Sequence, residues 1–324
     1  MANNIKFLTQ SMVVYSEKLS DRGEDAAVLK VNDTASLAGV FDGLGGSGAR
    51  SYSRAEFKSG AYLASRVAAL TVRDWFKNLT ENSAPENFDF GGADKMNLKK
   101  MIKDSLLEFK SILKEEQVTR LKSSFSKELP TTMAIQLIVP LESESKYCCQ
   151  ANFLWAGDSR GYIFDEDGLH QITEDDNDVA DPFENISADG KMTNVIYAGG
   201  NFTVHFRSVP MKKPFLSFVA SDGCFGYFSS PMEFEYHLLR ALVDARSFME
   251  AEHRLYDCFE ARAEDDFSFA GLFYYGERPD IFRKHAKNRL QKLEPLIARI
   301  RTGGDEARRA IWQEEYRAGY LRFQ

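Results

Sequence analysis

Histidine and cysteine are scarce in this chain, at 5 and 4 of 324 residues. None of Cys148, Cys149, Cys224 and Cys258 stands at a zinc-type spacing. Adjacent cysteines such as Cys148 and Cys149 rarely bridge each other, so reduced core thiols are expected instead of a disulfide framework or a zinc site. Long apolar runs are missing too. No stretch approaches the roughly 20 apolar residues of a membrane span, and the start Met1-Ala2-Asn3-Asn4-Ile5-Lys6 leads into none; a cytoplasmic location is the expectation. There is no internal repeat and no low-complexity block. What is present is ordinary for a globular chain: 44% hydrophobic and 27% charged residues, with 25 Phe pointing to an aromatic-rich interior. The length accommodates one large domain and an extension. A net charge of −7 argues against general nucleic-acid binding. That charge is uneven: from Pro279 to Gln324 there are 11 Lys or Arg against 6 Asp or Glu, so the tail is near +5 and the rest near −12.

The first half reads as short strands followed by two long helices. Ala26 to Val31 and Ala35 to Phe41 are apolar runs separated by the turn pair Asn32-Asp33. Helical spacing then predicts helices from Ser47 to about Leu79 and from Met96 to Lys122. The second half is strand-rich, with candidates at Thr132–Leu141, Lys146–Ala156, Arg160–Phe164, Phe202–Arg207, Phe215–Ala220 and Phe267–Tyr275. Asp167-Gly168 is a hairpin signal, and Pro231 to about Ala261 reads as helical. Strands in runs with helices grouped apart indicate an α+β domain with antiparallel sheets. In the tail, Pro279–Leu293 reads as a helix, Pro295 as the start of another, and Gly303-Gly304 as a break before Asp305–Tyr320. The expected division is a body at 1–277 and a basic helical extension at 278–324. Leu290, Leu293, Ile297 and Ile300, with the stripe Trp312, Tyr316, Tyr320 and Phe323, would pack on the body or serve a protein partner.

The most informative segment is Asp42-Gly43-Leu44-Gly45-Gly46 at the end of the run Ala35–Phe41. It puts a carboxylate at the mouth of a buried strand, followed by glycines whose bare backbone permits close approach of a ligand. Glu24-Asp25, Asp158, Asp222 and the pair Asp265-Asp266 repeat the theme, each at the edge of a predicted strand. Carboxylates gathered at one end of a sheet repel unless cations sit between them. The spacing therefore points to a metal site. With carboxylate, carbonyl and water as the available donors and no histidine nearby, Mg²⁺ or Mn²⁺ fits better than zinc or iron.

From about Val13 to Tyr275 the order and context of these segments resemble the metal-dependent protein phosphatases, the type 2C serine/threonine family. The matching pieces are Glu24-Asp25, Phe41-Asp42-Gly43-x-Gly45-Gly46, Thr131-Thr132 and Ala156-Gly157-Asp158-Ser159-Arg160-Gly161-Tyr162. They continue with Ile172-Thr173-Glu174-Asp175, Ala198-Gly199-Gly200, Ala220-Ser221-Asp222-Gly223 and Asp265-Asp266-Phe267-Ser268. The resemblance implies an αββα sandwich of two central antiparallel sheets flanked by helices. It also implies a protein serine/threonine phosphatase that hydrolyses phosphoserine or phosphothreonine by direct attack of a water bridging two Mn²⁺ or Mg²⁺ ions. Its substrate would be a phosphorylated protein.

Carried over by motif, Asp42 would bridge both ions and Gly43 would offer its carbonyl. Asp222 and Asp265 would hold one ion, with Glu24 on the side of the other and Asp25 acting through water; a shift of one residue would make Asp266 the ligand. Several positions depart from the family. Arg22 is near but out of register with the phosphate-binding arginine, and it or Lys18 would take that role. Leu44 stands where many eukaryotic members have histidine, which points to a bacterial-type enzyme. A third ion would use Asp158 and the position of Gly226, which has no side chain; Asp158 could organise its turn instead. Thr131 and Thr132 read as structural, and Asp175–Lys191 falls where the family has a flap. A pseudophosphatase binding a partner through the same fold is the alternative, and retention of Asp42, Asp222 and Asp265 weighs against it.

Overall fold

The computed structural model describes residues 9–114, 127–141, 148–179, 181–186, 190–212, 214–275 and 279–324. Its strands are β1 (Thr9–Ser16), β2 (Ala26–Val31), β3 (Ser36–Phe41), β4 (Ser51–Tyr52), β5 (Lys58–Ser59), β6 (Met133–Pro140), β7 (Cys149–Ala156), β8 (Arg160–Phe164), β9 (Leu169–Gln171), β10 (His205–Met211), β11 (Phe215–Ala220) and β12 (Phe267–Tyr274). Two five-stranded antiparallel sheets are ordered β1-β12-β11-β8-β9 and β10-β7-β6-β3-β2. They face each other across a core that includes Val40, Phe153, Ile163, Val219 and Leu272. Gln136 on β6 donates to the carbonyl of Ser217 on β11 at 2.9 Å, a polar tie between the sheets.

Helices cover both outer faces. Gly60–Asn82 and Ala93–Lys114 lie on the second sheet, burying Trp75, Ile102 and Leu106. Pro231–Asp244, Phe248–Glu260 and Pro279–Ile311 lie on the first, burying Leu239, Leu255 and Leu293. The expected αββα sandwich is what the chain forms. Every residue of β3 is buried because helices cover one face and the other sheet the opposite face. That is why its sequence is a continuous apolar run without alternation.

Several boundaries differ from the sequence reading. The helix expected from Ser47 begins at Gly60, because the hairpin β4–β5 intervenes and Ser59 caps the helix, accepting from the Tyr62 amide at 3.0 Å. The second helix starts at Ala93, and residues 115–122 of the expected span lie outside the described residues. The strand expected at Phe202–Arg207 is displaced to β10, since Phe202 and Val204 are buried under the helices before the chain pairs with β7. Pro295 does not restart a helix: Pro279–Ile311 continues through it, while Leu293 and Ile297 on either side are buried in the core. One lost hydrogen bond is outweighed by two buried aliphatic side chains, each contributing about 2 kcal/mol. The break at Gly304 is present, with φ 63° and ψ −147°. Asp167-Gly168 does close the β8–β9 hairpin.

The tail shares its core with the body. Phe282 packs edge-on against Phe164 and Phe273, at centroid distances of 5.8 and 5.6 Å. The ring of Trp312 stacks on Phe183 at 5.6 Å, and Tyr320 lies 6.3 Å from Tyr162. Among the described residues no helix is long and apolar enough to cross a membrane.

Candidate active site

Asp42 follows the last residue of β3, where the strand leaves the sheet. Two threonines hold its backbone. The Thr131 hydroxyl donates to the Asp42 carbonyl at 2.9 Å, the Thr132 amide to the same carbonyl at 2.7 Å, and the Asp42 amide donates to the Thr132 hydroxyl at 3.2 Å. Thr132 is braced in turn by Ser159, 2.7 Å away between hydroxyls. Both backbone groups of Asp42 are thus held in place. Close packing requires the first glycine after it. A Cβ on Gly43 would lie 2.5 Å from the Ala61 carbonyl oxygen, so no side chain fits there, whereas one on Gly45 would meet only the movable carboxylate of Glu24.

Around Asp42 the other carboxylates converge. Burial, then the charges of Asp222, Asp25, Asp158 and Asp265, push the Asp42 carboxyl well above the ordinary range. Asp222 opens a short helical turn after β11 and is exposed to the cleft. It is raised by desolvation and by Asp265, against a hydrogen bond from Asp42. Asp25 is interior; its carboxylate accepts from the Ser221 hydroxyl at 2.6 Å, and burial lifts it to about 7. Asp158 is raised to about 8 by burial and by Asp222, and its Oδ1 is buried without a hydrogen-bond partner.

Asp176 supports the Asp158 turn, accepting from the Gly157 amide at 2.9 Å. The pair Asp265-Asp266 divides its work. Asp266 accepts from the backbone amides of Lys18 at 2.8 Å and Glu24 at 2.5 Å, tying the loop after β1 to the start of β12. Asp265 is exposed at the cleft. Glu24 is half-buried and accepts from the Ser59 hydroxyl. Burial and then the charges of Asp266 and Asp265 raise its carboxyl.

Two clefts are lined by carboxylates of this cluster. One, of about 280 Å³, is lined by Asp158, Asp222, Gly226, Tyr227 and the ion pair Arg160–Asp175, whose guanidinium and carboxylate meet at 2.6 Å. The other, of about 310 Å³, holds Glu24 and Asp265 with Lys18 and Arg22. Sequence reasoning missed Ser59, Ser221 and Asp176 as supports. Ser221 lies inside the Ala220-Ser221-Asp222-Gly223 motif, whereas nothing local marks Ser59, whose partner is 35 residues away.

The arrangement suits hard divalent cations. The donors are all oxygen, one carboxylate oxygen is buried and unpartnered, and several carboxylates are held in mutual repulsion that positive charge would relieve. Among the described residues no three such side chains already close around a single point.

Solved structures match this architecture. The serine/threonine phosphatase Stp1 of Staphylococcus aureus superposes with a TM-score of 0.60 at 16% identity, over 83% of this chain and 96% of that one. The fold is that of the bacterial serine/threonine phosphatases. PstP/Ppp of Mycobacterium tuberculosis gives a TM-score of 0.54 at 15% identity, over 82% of this chain and 99% of that one. A structure of the PstP catalytic domain in complex with 2 manganese ions gives 0.52 at 14% identity, over 82% and 98%. No protein-family model matches the sequence, and no curated protein matches it significantly.

Proposed function

We propose that this chain is a metal-dependent phosphatase acting on phosphoserine and phosphothreonine of protein substrates. The observation that carries the reading is the convergence of Asp25, Asp42, Asp158, Asp222 and Asp265 at one end of the sandwich, with Asp158 Oδ1 buried and without a partner. The fold shared with bacterial serine/threonine phosphatases, one of them described with two manganese ions, supports it.

Phosphate monoesters hydrolyse extremely slowly unaided. When bound, two Mn²⁺ or Mg²⁺ ions would acidify a water between them and offset phosphate charge. Asp42, fixed by Thr131 and Thr132, would help to hold both ions, together with the Gly43 carbonyl. Asp222 and Asp265 would hold one ion and Glu24 the other, with Asp25 orienting from behind through Ser221. Asp266 is occupied by two amides and keeps a structural role. Gly226 brings no carboxylate to the first cleft, so a third ion there would depend on Asp158. Exposed Arg22, with Lys18, would receive the phosphate; a guanidinium can bind two of its oxygens.

Transfer would go straight to water, because among the described residues no side-chain nucleophile stands ready. Cys224, beside Asp222, is buried, its thiol is pushed far up by burial, and it donates to the Ser268 carbonyl. The test is release of phosphate from phosphoserine peptides with Mn²⁺, and its loss in chelator. Undiminished hydrolysis in metal-free buffer, or none with saturating Mn²⁺, overturns the reading.

A further inference from the structure

Arg22, Leu19 and the hairpin β4–β5 border the second cleft, and this is where the described chain concentrates backbone strain. Four non-glycine residues among those described have positive φ. Three of them are here: Asp21 at 62°, Glu56 at 53° and Phe57 at 59°. Such a conformation is strained for a residue with a side chain and persists only where surrounding contacts impose it.

The contacts imposing it are visible. The Phe57 amide donates to the Tyr52 carbonyl at 2.9 Å and the Glu56 amide to the Ser53 carbonyl at 3.2 Å. The Lys58 ammonium reaches the Asp21 carbonyl and lies over the Tyr62 ring at 4.7 Å, joining hairpin to loop. One residue on, Ser59 donates to the candidate ligand Glu24. The hairpin is thus registered against the carboxylate cluster, not merely adjacent to it.

The strain serves to present two large apolar side chains to water. Phe57 is 67% exposed and Leu19 66% exposed, and both line the cleft that contains Glu24 and Asp265. Beside them the guanidinium of Arg22 has no ion-pair or hydrogen-bond partner among the described residues. Two exposed hydrophobes flanking a free cation and an acidic floor match a ligand with a phosphate and a neighbouring apolar group. Lys58, already engaged, does not compete for it.

We propose that Leu19 and Phe57 form a specificity ridge that favours phosphopeptides with a bulky apolar residue next to the phosphorylated serine or threonine. The proposal rests on the phosphatase reading above and adds which substrates the site prefers. Arg22 takes the phosphate, and the flanking side chain is sandwiched on Phe57 and Leu19. A hydrophobic contact of this size discriminates by roughly 10–200-fold, and the open, one-sided ridge belongs at the low end.

The test compares kcat/KM for two phosphoserine peptides identical except for Leu or Gly flanking the phosphoserine, with saturating Mn²⁺. The wild-type chain should favour the Leu peptide about tenfold. Phe57→Gly suits the left-handed backbone, so the hairpin keeps its shape, and the preference should fall toward unity; Leu19→Ser should lower it as well. Phe57→Leu should restore most of it. Hydrolysis of both peptides at equal efficiency by the wild type, or a ratio unmoved in Phe57→Gly and Leu19→Ser, overturns the ridge and leaves the phosphatase reading intact. No hydrolysis of either peptide overturns both.

Discussion

The side chain of Glu235 is wholly withdrawn from solvent and is gripped by Arg289 through two hydrogen bonds of 2.9 Å. Glu235 belongs to a body helix and Arg289 to the tail helix. The Leu169 amide and the Tyr316 hydroxyl complete its shell at 2.9 and 2.7 Å. Arg289→Ala should lower unfolding free energy by about 3–5 kcal/mol, because it strands a buried carboxylate. Urea denaturation checks this, and a loss below about 1 kcal/mol would show that the pair is dispensable. The paired change Glu235→Gln with Arg289→Met should cost much less than Arg289→Ala alone.

Ending the chain before Pro279 should have a harsher effect. It strips the partners of Phe164, Phe273 and Glu235 together. The truncated protein should aggregate on exposure of that apolar face. A soluble, monodisperse product with native thermal stability would contradict the shared core.

The carboxylate cluster gives the metal-free protein a pH dependence of definite sign. Asp25 and Asp158 have folded values of about 7 and about 8 against an ordinary 3.8. The folded state therefore binds protons more tightly than the unfolded one. Its stabilisation is complete below about pH 4 and is lost as pH rises through 7 to 8. In chelator, the melting temperature should fall between pH 5 and 8; with Mn²⁺, which requires ionised carboxylates, the fall should shrink or reverse. A melting temperature that rises with pH in chelator would refute the crowding.

Asp42→Asn should reduce phosphopeptide turnover by about a thousandfold or more, since it removes a proposed metal ligand. The same change should raise the melting temperature in chelator by removing one repelling charge. Near-wild-type turnover at saturating Mn²⁺ would place the centre elsewhere.

Thr132→Val keeps side-chain shape but removes the acceptor for the Asp42 amide and the partner of Ser159. It should cost about 1–3 kcal/mol in stability. Turnover should drop on the order of a hundredfold through misplacement of Asp42, because small displacements of reacting groups are expensive. Kinetics measured well below the melting temperature separate the two effects.

Much of this was legible from sequence where residues act through their own segment. The all-apolar run of β3 announced a doubly covered strand, and Asp42 at its end was recognisable at once. The β4–β5 hairpin was not, because two strands of two residues carry no period that a helical pattern on either side does not swamp. The support of Asp266 was equally closed to local reading. It is bonded by the Lys18 and Glu24 amides, some 240 residues away in the chain. Pro295 misled because its backbone penalty is visible in sequence, whereas the burial of Leu293 and Ile297 is not.

The tail's grip on the body also has a consequence for biosynthesis. Gln324, the last residue, donates to the Thr173 carbonyl at 2.7 Å, and Gly319 accepts from the His170 ring at 2.6 Å. When the sheet strands leave the ribosome, these closing residues are still inside it. The half of the sandwich that carries Glu235 must then wait, incomplete, until these residues have emerged as well. The second sheet, whose own helices precede β10, is under no such delay. Nascent chains arrested before Gly319 to Gln324 emerge should therefore show protease cuts confined to the Glu235 side, and uniform resistance would rule out this order of assembly.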